Sequence, residues 1–212
     1  PEAILNYIAL LGWSPSEERE IYSLSELCEA FDVKRINTSG AIFDIEKLKW
    51  MNATYLRNMD NDKYIELIRP YVNKAIGDSY DIHKVAHILK ERATTLNEIE
   101  EMLDFIKELK EFDVTLYTNK KMKTTPEVAL NSLKEAKRVL GELSEWNHDS
   151  IYNCLMALVS ELGVKNGQVL FPVRVALSNK AFTPGGAIEI ADILGKEETL
   201  NRIAKAIEDL SE

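Results

Sequence analysis

The spacing of apolar residues at intervals of three and four positions is the feature that most constrains this chain. Ala3, Ile4, Tyr7, Ile8 and Leu11 form one such stripe, and similar stripes recur along most of the 212 residues. This period places apolar side chains on one face of an α-helix. No alternation of apolar and polar residues is long enough for a substantial sheet, and no repeat of fixed length occurs. The sequence therefore predicts a mainly α fold.

Capping residues predict where several helices begin. Ser23 and Glu26 have the spacing of a capping box, and Asp44 is a favoured N-cap before an apolar stripe. Thr125 followed by Pro126 predicts the start of a long helix that runs to about residue 146. Between the helix starts at Ser23 and Asp44, residues 34–40 predict an irregular loop with a short hairpin.

A candidate linker at residues 77–79, Gly-Asp-Ser, divides the predicted helices into groups. We expect a first helical domain over residues 1–76. Two further helical subdomains are expected over residues 77–146 and 147–212.

The distribution of charge matters more here than its total. The formal net charge of −9 argues against nucleic-acid binding, which usually requires a basic surface. Two stretches, 119–125 and 163–188, nevertheless contain cations and no acids. Their cations are Lys120, Lys121, Lys123, Lys165, Arg174 and Lys180. The sequence therefore indicates local basic patches on an otherwise acidic surface.

Cysteine content and hydropathy indicate a cellular compartment. Cys28 and Cys154 are far apart in sequence, which predicts two buried structural thiols in a reducing environment rather than a disulfide or zinc site. No apolar run reaches the roughly 18 residues of a membrane-spanning helix. We therefore expect a cytoplasmic protein. The chain opens at Pro1 without a signal segment, and we expect it to be an excised or processed part of a longer protein.

Two motifs suggest chemistry, but each has a simpler interpretation. His83 and His87 are four residues apart and could share a metal, yet no H-E-x-x-H pattern or further ligand accompanies them, so we interpret them as helix-surface residues. Residues 121–125, Lys-Met-Lys-Thr-Thr, are similar to a K-M-S-K-S loop with the second lysine displaced. We interpret them as a solvated basic loop, with phosphate contact as a second possibility. The sequence predicts no catalytic and no metal-binding residues, which favours a binding module.

Three segments, in the same order along the chain, resemble one family. The first is residues 1–14, and the second is Lys34-Arg35-Ile36-Asn37 with residues 43–52 and Tyr55-Leu56-Arg57. The third runs from Gly167-Gln168-Val169 through Arg174 and Thr183-Pro184-Gly185 to residue 197. Together they resemble the C-terminal part of bacterial glutamyl-tRNA synthetases, which are class I enzymes.

The resemblance implies a helical stem-contact domain followed by α-helical anticodon-binding domains. It implies that the whole enzyme attaches glutamate to its tRNA with ATP and Mg²⁺ in an N-terminal catalytic domain. The H-I-G-H and K-M-S-K-S motifs of that domain do not occur here, so we expect this chain to hold tRNA, to carry no cofactor and to be catalytically inactive alone. We expect a monomer that binds neither membrane nor DNA.

The resemblance also assigns candidate contact residues. Cations and neighbouring side chains would contact phosphates on the inner side of the tRNA; they are Lys47, Lys49, Trp50, Asn52, Arg57 and Lys180. The alternative for Trp50 is core packing, and for Lys49 and Arg57 it is simple solvation.

The anticodon contacts implied by the resemblance are Arg92, Arg174 and the Thr183-Pro184-Gly185 loop. Arg92 falls where the family reads the third anticodon base, and a guanidinium donates only. It would therefore favour the acceptors of cytosine over the donors of guanine. Gly186 is one residue more than the family pattern, which affects the apolar base contact of this loop.

Two other functions remain open at this point. One is the related helical anticodon domain of a class I lysyl-tRNA synthetase. The other is a helical protein-interaction module that binds no RNA, which the net charge of −9 favours.

Overall fold

A computed structural model describes residues 1–38 and 40–211. Within these ranges the chain forms eleven α-helices and no strand. They are α1 (Glu2–Gly12), α2 (Leu24–Ala30), α3 (Ile45–Asn58), α4 (Asn61–Ile76), α5 (Ile82–Lys90), α6 (Ile99–Lys107), α7 (Pro126–Gly141), α8 (His148–Leu162), α9 (Asn166–Ser178), α10 (Ala187–Leu194) and α11 (Lys196–Asp209). Short 3-10 turns lie at Val33–Arg35, Leu96–Glu98 and Val114–Tyr117. The prediction of a mainly α fold is confirmed.

Local capping starts the helices where the sequence predicts. The Ser23 hydroxyl accepts from the Glu26 amide, and the Glu26 carboxylate accepts from the Ser23 amide, which completes the capping box of α2. Asp44 Oδ1 accepts from two amides of α3, and the Thr125 hydroxyl caps α7 with Pro126 in its first turn. Each cap satisfies backbone donors that a helix N-terminus leaves free.

Two predicted segments differ from the structure. Helix α7 ends at Gly141, and the following loop is held by the Trp146 indole, which donates to the Ala191 carbonyl at 3.0 Å. In place of the expected hairpin there is the 3-10 turn Val33–Arg35 and a single antiparallel bridge between Trp13 and Ile36. Ser39, within that predicted loop, lies outside the described residues.

Helices α4 to α11 share one large hydrophobic cluster, and we call residues 60–211 the helical body. Helix α4 packs most extensively against α6, while α9 packs against α7, α10 and α11 at the centre. The cluster includes residues on both sides of position 146. It also includes α4 together with Leu56 from the end of α3, and the division at residue 77 stays a prediction.

The first three helices form a smaller unit, which we call the N-terminal module (the described residues among 1–58). Its hydrophobic cluster is small, with Trp13, Tyr22 and Leu27 as its buried members. A buried polar side chain adds to it: Asn6 donates to the Glu20 carbonyl at 2.9 Å and accepts from the Tyr22 amide and the Tyr55 hydroxyl, each at 2.7 Å. The Tyr55 hydroxyl also reaches the Tyr22 carbonyl.

A buried arginine joins three helices of the helical body. The Arg202 side chain of α11 is only 6% exposed. Its guanidinium donates to the carbonyls of Phe105, Ile106 and Leu177 at 2.7 to 2.9 Å, and its Nε pairs with Glu198 at 2.6 Å. Because those carbonyls lie in the last turns of α6 and α9, the cation caps both helix C-termini.

The two cysteines are not the buried pair that the sequence predicts. Cys28 is exposed, because it lies on the outer face of the short helix α2, in which Leu27 is the buried residue. Cys154 is half-buried, and burial raises the pKa of its thiol. Both thiols are free. Within the described residues, no helix is long and apolar enough to cross a membrane.

Candidate nucleic-acid interface

A groove of about 660 Å³ brings together all the residues predicted to contact the anticodon. Its walls come from the turn after α5, the start of α6, the turn at 119–122, helix α9 and the loop at 180–186. The predicted residues in its lining are Arg92, Arg174, Lys180, Thr183, Pro184 and Gly185. The sequence separation between Arg92 and Arg174 is bridged by the core packing of α5, α9 and α10.

The Arg174 guanidinium anchors the loop that forms one wall. It donates to the carbonyls of Lys180 and Ala181 at 3.2 and 3.0 Å and to the Thr183 hydroxyl at 3.2 Å. Its Cζ lies 5.2 Å from the ring centroid of Phe171, and burial lowers its pKa. Three hydrogen bonds use at most three of the five N–H donors, so at least two remain for a ligand. No acid pairs with this cation in the described part of the chain.

Arg92 is exposed in the turn that follows α5, and its backbone amide donates to the Leu89 carbonyl at 2.9 Å. Among the described residues its guanidinium has neither an ion pair nor a hydrogen bond. The carboxylate of Glu98, which also lines the groove, is already bonded to the Thr94 hydroxyl and amide. Burial raises the pKa of Glu98, but the hydrogen bonds from Thr94 and Thr95 outweigh it and leave this pKa below its usual range.

The Thr183–Gly186 loop is rigidly held. The Thr183 hydroxyl donates to the Gly185 carbonyl at 2.6 Å while it accepts from Arg174. At Gly185 a Cβ atom would meet Ile88 Cγ2 at 2.9 Å, so only glycine allows this loop to approach α5 so closely. The Gly186 amide donates to the Glu189 carboxylate at 2.9 Å. The Gly186 amide is therefore occupied within the protein.

Lys180 is held mainly by protein partners. Its Nζ donates to the Glu101 carbonyl at 2.6 Å and pairs with the Asp104 carboxylate. Only 15% of its side chain is exposed. Burial raises the pKa of Asp104, but hydrogen bonds and charge from Lys180 and Lys110 outweigh it and lower the pKa. These contacts give Lys180 a structural role, and its charge is already neutralised.

Several lining residues were not predicted as site residues from the sequence, among them Asn119, Phe171 and Phe182. Phe182 is 90% exposed, although it is a large aromatic residue. No local pattern distinguishes it from a core phenylalanine. Its position beside Arg174 and the Thr183 loop becomes visible only when the groove is assembled.

The predicted stem contacts on α3 separate into two groups. Trp50 is 45% exposed, so it is not a core residue, and Arg57 is exposed on the same helical face. Lys49 pairs with Glu46 at 3.1 Å, with 41% of its side chain exposed. These three side chains can reach a ligand.

Lys47 and Asn52 have structural partners instead. Lys47 pairs with Glu20, which ties α3 to the loop before α2. Asn52 is half-buried, and its Nδ2 donates to the Thr94 carbonyl at 2.6 Å. Because Thr94 lies two residues after Arg92, this bond joins the N-terminal module to the groove.

His83 and His87 are exposed on α5, as predicted for helix-surface residues, and His148 lies beside them in a separate depression with Glu189 and Asp192. In residues 1–38 and 40–211, no group of three His, Cys, Asp or Glu side chains is placed to hold a metal ion.

Comparison with known proteins gives a consistent result. Residues 63–207 match the model of a family described as "Anticodon binding domain". Residues 1–50 match the model described as "tRNA synthetases class I (E and Q), catalytic domain". Among curated relatives, the chain is 52% identical over 209 residues to a glutamate–tRNA ligase of Clostridium botulinum, which covers 99% of this chain and 43% of that protein. It is 47% identical over 210 residues to that of Clostridium acetobutylicum, with the same shares covered.

Solved structures extend this similarity to the fold. A glutamate tRNA ligase from Elizabethkingia meningosepticum superimposes with a TM-score of 0.83 at 32% identity, over 99% of this chain and 41% of that one. The chain spans about 43% of the length of the curated relatives it matches. The matched family model covers more than half of the chain, and its range contains every lining residue of the groove. The chain therefore belongs to the anticodon binding domain family, in the form found in glutamate–tRNA ligases.

Proposed function

We propose that this chain recognises the tRNA for glutamate and reads its anticodon in the groove. One observation carries the proposal: Arg92 and Arg174, distant in sequence, present free guanidinium donors in the same groove. Unpaired bases are recognised by edge hydrogen bonds and by stacking, and arginine serves both. The relatives described above are glutamate–tRNA ligases, which favours this function over the lysyl alternative.

Arg92 is the proposed reader of the third anticodon base. A planar guanidinium can donate to O2 and N3 of an unpaired cytosine, whereas guanine offers N1–H and N2–H donors at the same edge. The glutamate anticodon ends in cytosine and the glutamine anticodon in guanine. Because the Arg92 guanidinium has no protein partner in the described residues, base binding would not first have to break an internal bond.

Phe182 is the proposed stacking surface for a neighbouring base. Every base has a π-face, so an exposed aromatic ring binds without demanding one sequence. Phe182 lies on the loop that Arg174 holds, and its exposed ring is adjacent to the donors that would bind the base edge. It can supply the apolar base contact that the additional Gly186 places in question.

Helix α3 is proposed to contact the inner side of the tRNA through Lys49, Trp50 and Arg57. Their exposure supports phosphate and sugar contacts, which give affinity and orientation rather than sequence selectivity. Lys47 and Asn52 support this surface indirectly through their protein partners, whereas the partners of Lys180 lie at the groove.

The activity of a whole ligase is part of the same proposal. The relatives are glutamate–tRNA ligases, and we infer that a protein containing this chain joins glutamate to tRNA with ATP and Mg²⁺ outside the groove described here. We further propose that the chain acts as a monomer in the cytoplasm.

The proposal is tested by Arg92→Gln in this chain, with Arg69→Gln as the matched control. Arg69 is also exposed and unpaired in the described structure but lies outside the groove. Affinity is measured for two tRNAs that differ only in the third anticodon base. We expect Arg92→Gln to remove about 1–3 kcal/mol of discrimination, by analogy with bidentate base contacts in DNA. Equal losses on both tRNAs would reduce Arg92 to a phosphate contact.

A salt titration of the unchanged chain tests RNA binding itself. We expect log affinity to fall linearly with log salt, with a slope of roughly −0.7 per phosphate contact. Absence of tRNA binding at low salt would instead favour the protein-interaction module.

A further inference from the structure

A tight turn at residues 119–124, which we call the lysine turn, presents three lysines next to the groove. The turn closes through paired backbone hydrogen bonds between Asn119 and Thr124, at 3.0 and 3.1 Å. Inside it, the Asn119 side chain accepts from the Met122 amide at 3.0 Å. The backbone of the turn is therefore fixed, and its side chains project from a defined place.

The cations of the lysine turn have no protein partners. Lys120, Lys121 and Lys123 are all exposed. Within the described residues none of them forms an ion pair or a side-chain hydrogen bond, although the chain contains 35 acidic residues. By contrast, Lys49 and Lys180 are paired with acids. The three positive charges lie within four consecutive positions and repel one another. An anionic partner would reduce this electrostatic repulsion.

The position of the lysine turn is set by the groove wall. Asn119 and Met122 line the groove, and Met122 packs against the first turn of α9. A Cβ atom at Gly167 would lie 2.6 Å from Met122 Sδ, so the glycine permits this close approach. Helix α9 also carries Arg174. The lysine turn therefore packs against the helix that carries Arg174.

Lys123 has a backbone conformation that favours glycine or asparagine. Its φ is +57°, one of two positive values at non-glycine residues in the described chain. A lysine in the left-handed region is unfavourable by roughly 1–2 kcal/mol. Lys123 is thus present although its backbone conformation is unfavourable. Within the described residues its side chain forms no ion pair or hydrogen bond that would stabilise the fold.

We propose that the lysine turn binds consecutive backbone phosphates of the same RNA strand whose bases enter the groove. This proposal rests on the function proposed above and adds a site to it. The phosphates follow the bases at fixed spacing, so a cationic turn beside a base-binding groove meets the backbone of the bound segment. Such contacts contribute affinity without sequence selectivity.

The test replaces Lys120, Lys121 and Lys123 by glutamine and titrates tRNA binding against salt. The control replaces Lys107, Lys134 and Lys137, which are exposed, unpaired in the described structure and outside the groove. Removal of three cations takes the net charge from −9 to −12 in both proteins. We expect the salt slope of the turn variant to decrease by about 2, from roughly 0.7 per lost contact, while that of the control changes much less.

The outcomes separate the two proposals. Loss of slope in the turn variant with unchanged discrimination at the third anticodon base supports the lysine turn as a phosphate site. Equal slopes for both variants would overturn it and leave the anticodon proposal intact. Failure of the unchanged chain to bind tRNA would overturn both.

A single substitution, which changes the net charge by only one, provides a second readout. Lys123→Asn relieves the backbone, so the variant should unfold at a higher temperature than the unchanged chain. It should nevertheless bind tRNA more weakly, by a few fold at 50 mM salt. A variant that is more stable and binds with unchanged affinity would contradict a functional reason for Lys123.

Discussion

The N-terminal module and the helical body are held together by different forces. The helical body has a continuous apolar cluster that reaches from α4 to α11. The module has three buried residues in its own cluster, and a polar network around Asn6 joins α1, α3 and the Glu20–Tyr22 segment. Such a network fixes geometry but buries little apolar surface. The groove is accordingly built on the unit with the stronger core, which can hold its side chains in place.

The exposed surfaces of the two units also differ. The module leaves large apolar side chains in solvent, among them Ile8, Val33, Ile42 and Phe43. Exposed apolar residues at this density are typical of a surface that another unit covers. This fits the match of residues 1–50 to a catalytic-domain model. The module thus exposes an apolar surface, whereas the body carries the groove.

The largest predicted effect comes from removing the buried cation of the helical body. Arg202→Leu leaves the carbonyls of Phe105, Ile106 and Leu177 without their donor. Since each buried unsatisfied group costs roughly 1–3 kcal/mol, we expect a loss of at least about 3 kcal/mol in the free energy of unfolding. Urea unfolding followed by circular dichroism measures it. Arg138→Leu, at an exposed pair, should cost far less. Similar losses in the free energy of unfolding for both variants would show that the hydrogen bonds from Arg202 to the three carbonyls do not stabilise the fold.

The second prediction tests whether the module is stabilised separately. Asn6→Ala removes three hydrogen bonds and leaves the Glu20 carbonyl and the Tyr22 amide unpaired. We expect a loss of about 1–3 kcal/mol, confined to the module. Amide hydrogen exchange should accelerate in residues 1–58 and stay unchanged in α6, α9 and α11. Uniform acceleration along the chain would mean that the two units unfold together.

The third prediction separates binding from stability within the helical body. Phe182→Ala should weaken tRNA binding by about 1–3 kcal/mol, the typical value for one stacked base. The unfolding midpoint should not change, because the ring is 90% exposed and buries little surface. Anisotropy titration and thermal unfolding are measured on the same sample. Val114→Ala, at an exposed apolar residue outside the groove, is the control. Unchanged affinity for Phe182→Ala would exclude the stacking role.

The smallest effect concerns pH. Hydrogen bonds from the Ser23 amide and from Arg19 lower the pKa of Glu26 to about 2. A carboxyl group with a depressed pKa stabilises the fold above its unfolded value, near 4.5, and this contribution is lost as the pH falls toward 2. The protection of the α2 amides against exchange, corrected for the intrinsic pH dependence of the exchange rate, should therefore decrease between pH 4.5 and 2. Glu26→Gln should weaken the pH dependence of amide exchange in the N-terminal module and should not change that of the helical body. An unchanged acid response would assign it to other carboxylates.

Predictability from sequence follows the range of the interaction. The starts of α2, α3 and α7 were predicted because a cap satisfies donors only three residues away. The predicted end of α7 was wrong. The loop after this helix is held by a hydrogen bond from Trp146 to Ala191, and these two residues are 45 positions apart in the sequence. The ion pair of Lys180 was not predicted for the same reason, because its partner Asp104 is distant in sequence and does not appear in the local charge pattern; the contact of Lys180 with phosphate stays a prediction.

The residues of the groove also differ in whether the sequence identified them. Arg92 and Arg174 were identified from a family resemblance, and the groove they share confirms their proximity but leaves their roles as proposals. Phe182 was missed because exposure, not residue type, distinguishes it. Arg202 was missed because a lone arginine on an amphipathic helix gives no sign that three carbonyls converge on it.

The hydrogen bond from Asn52 to the Thr94 carbonyl fixes the distance between α3 and the turn after α5. It connects the helix that carries Trp50 and Arg57 to the turn that carries Arg92. If both surfaces bind one RNA, their separation must match the distance in that RNA between its inner side and its third anticodon base. An RNA with the correct base but a stem of different length would have to break this bond or leave one surface empty. Selection by molecular length would then accompany selection by base, and a single amide side chain would link the two.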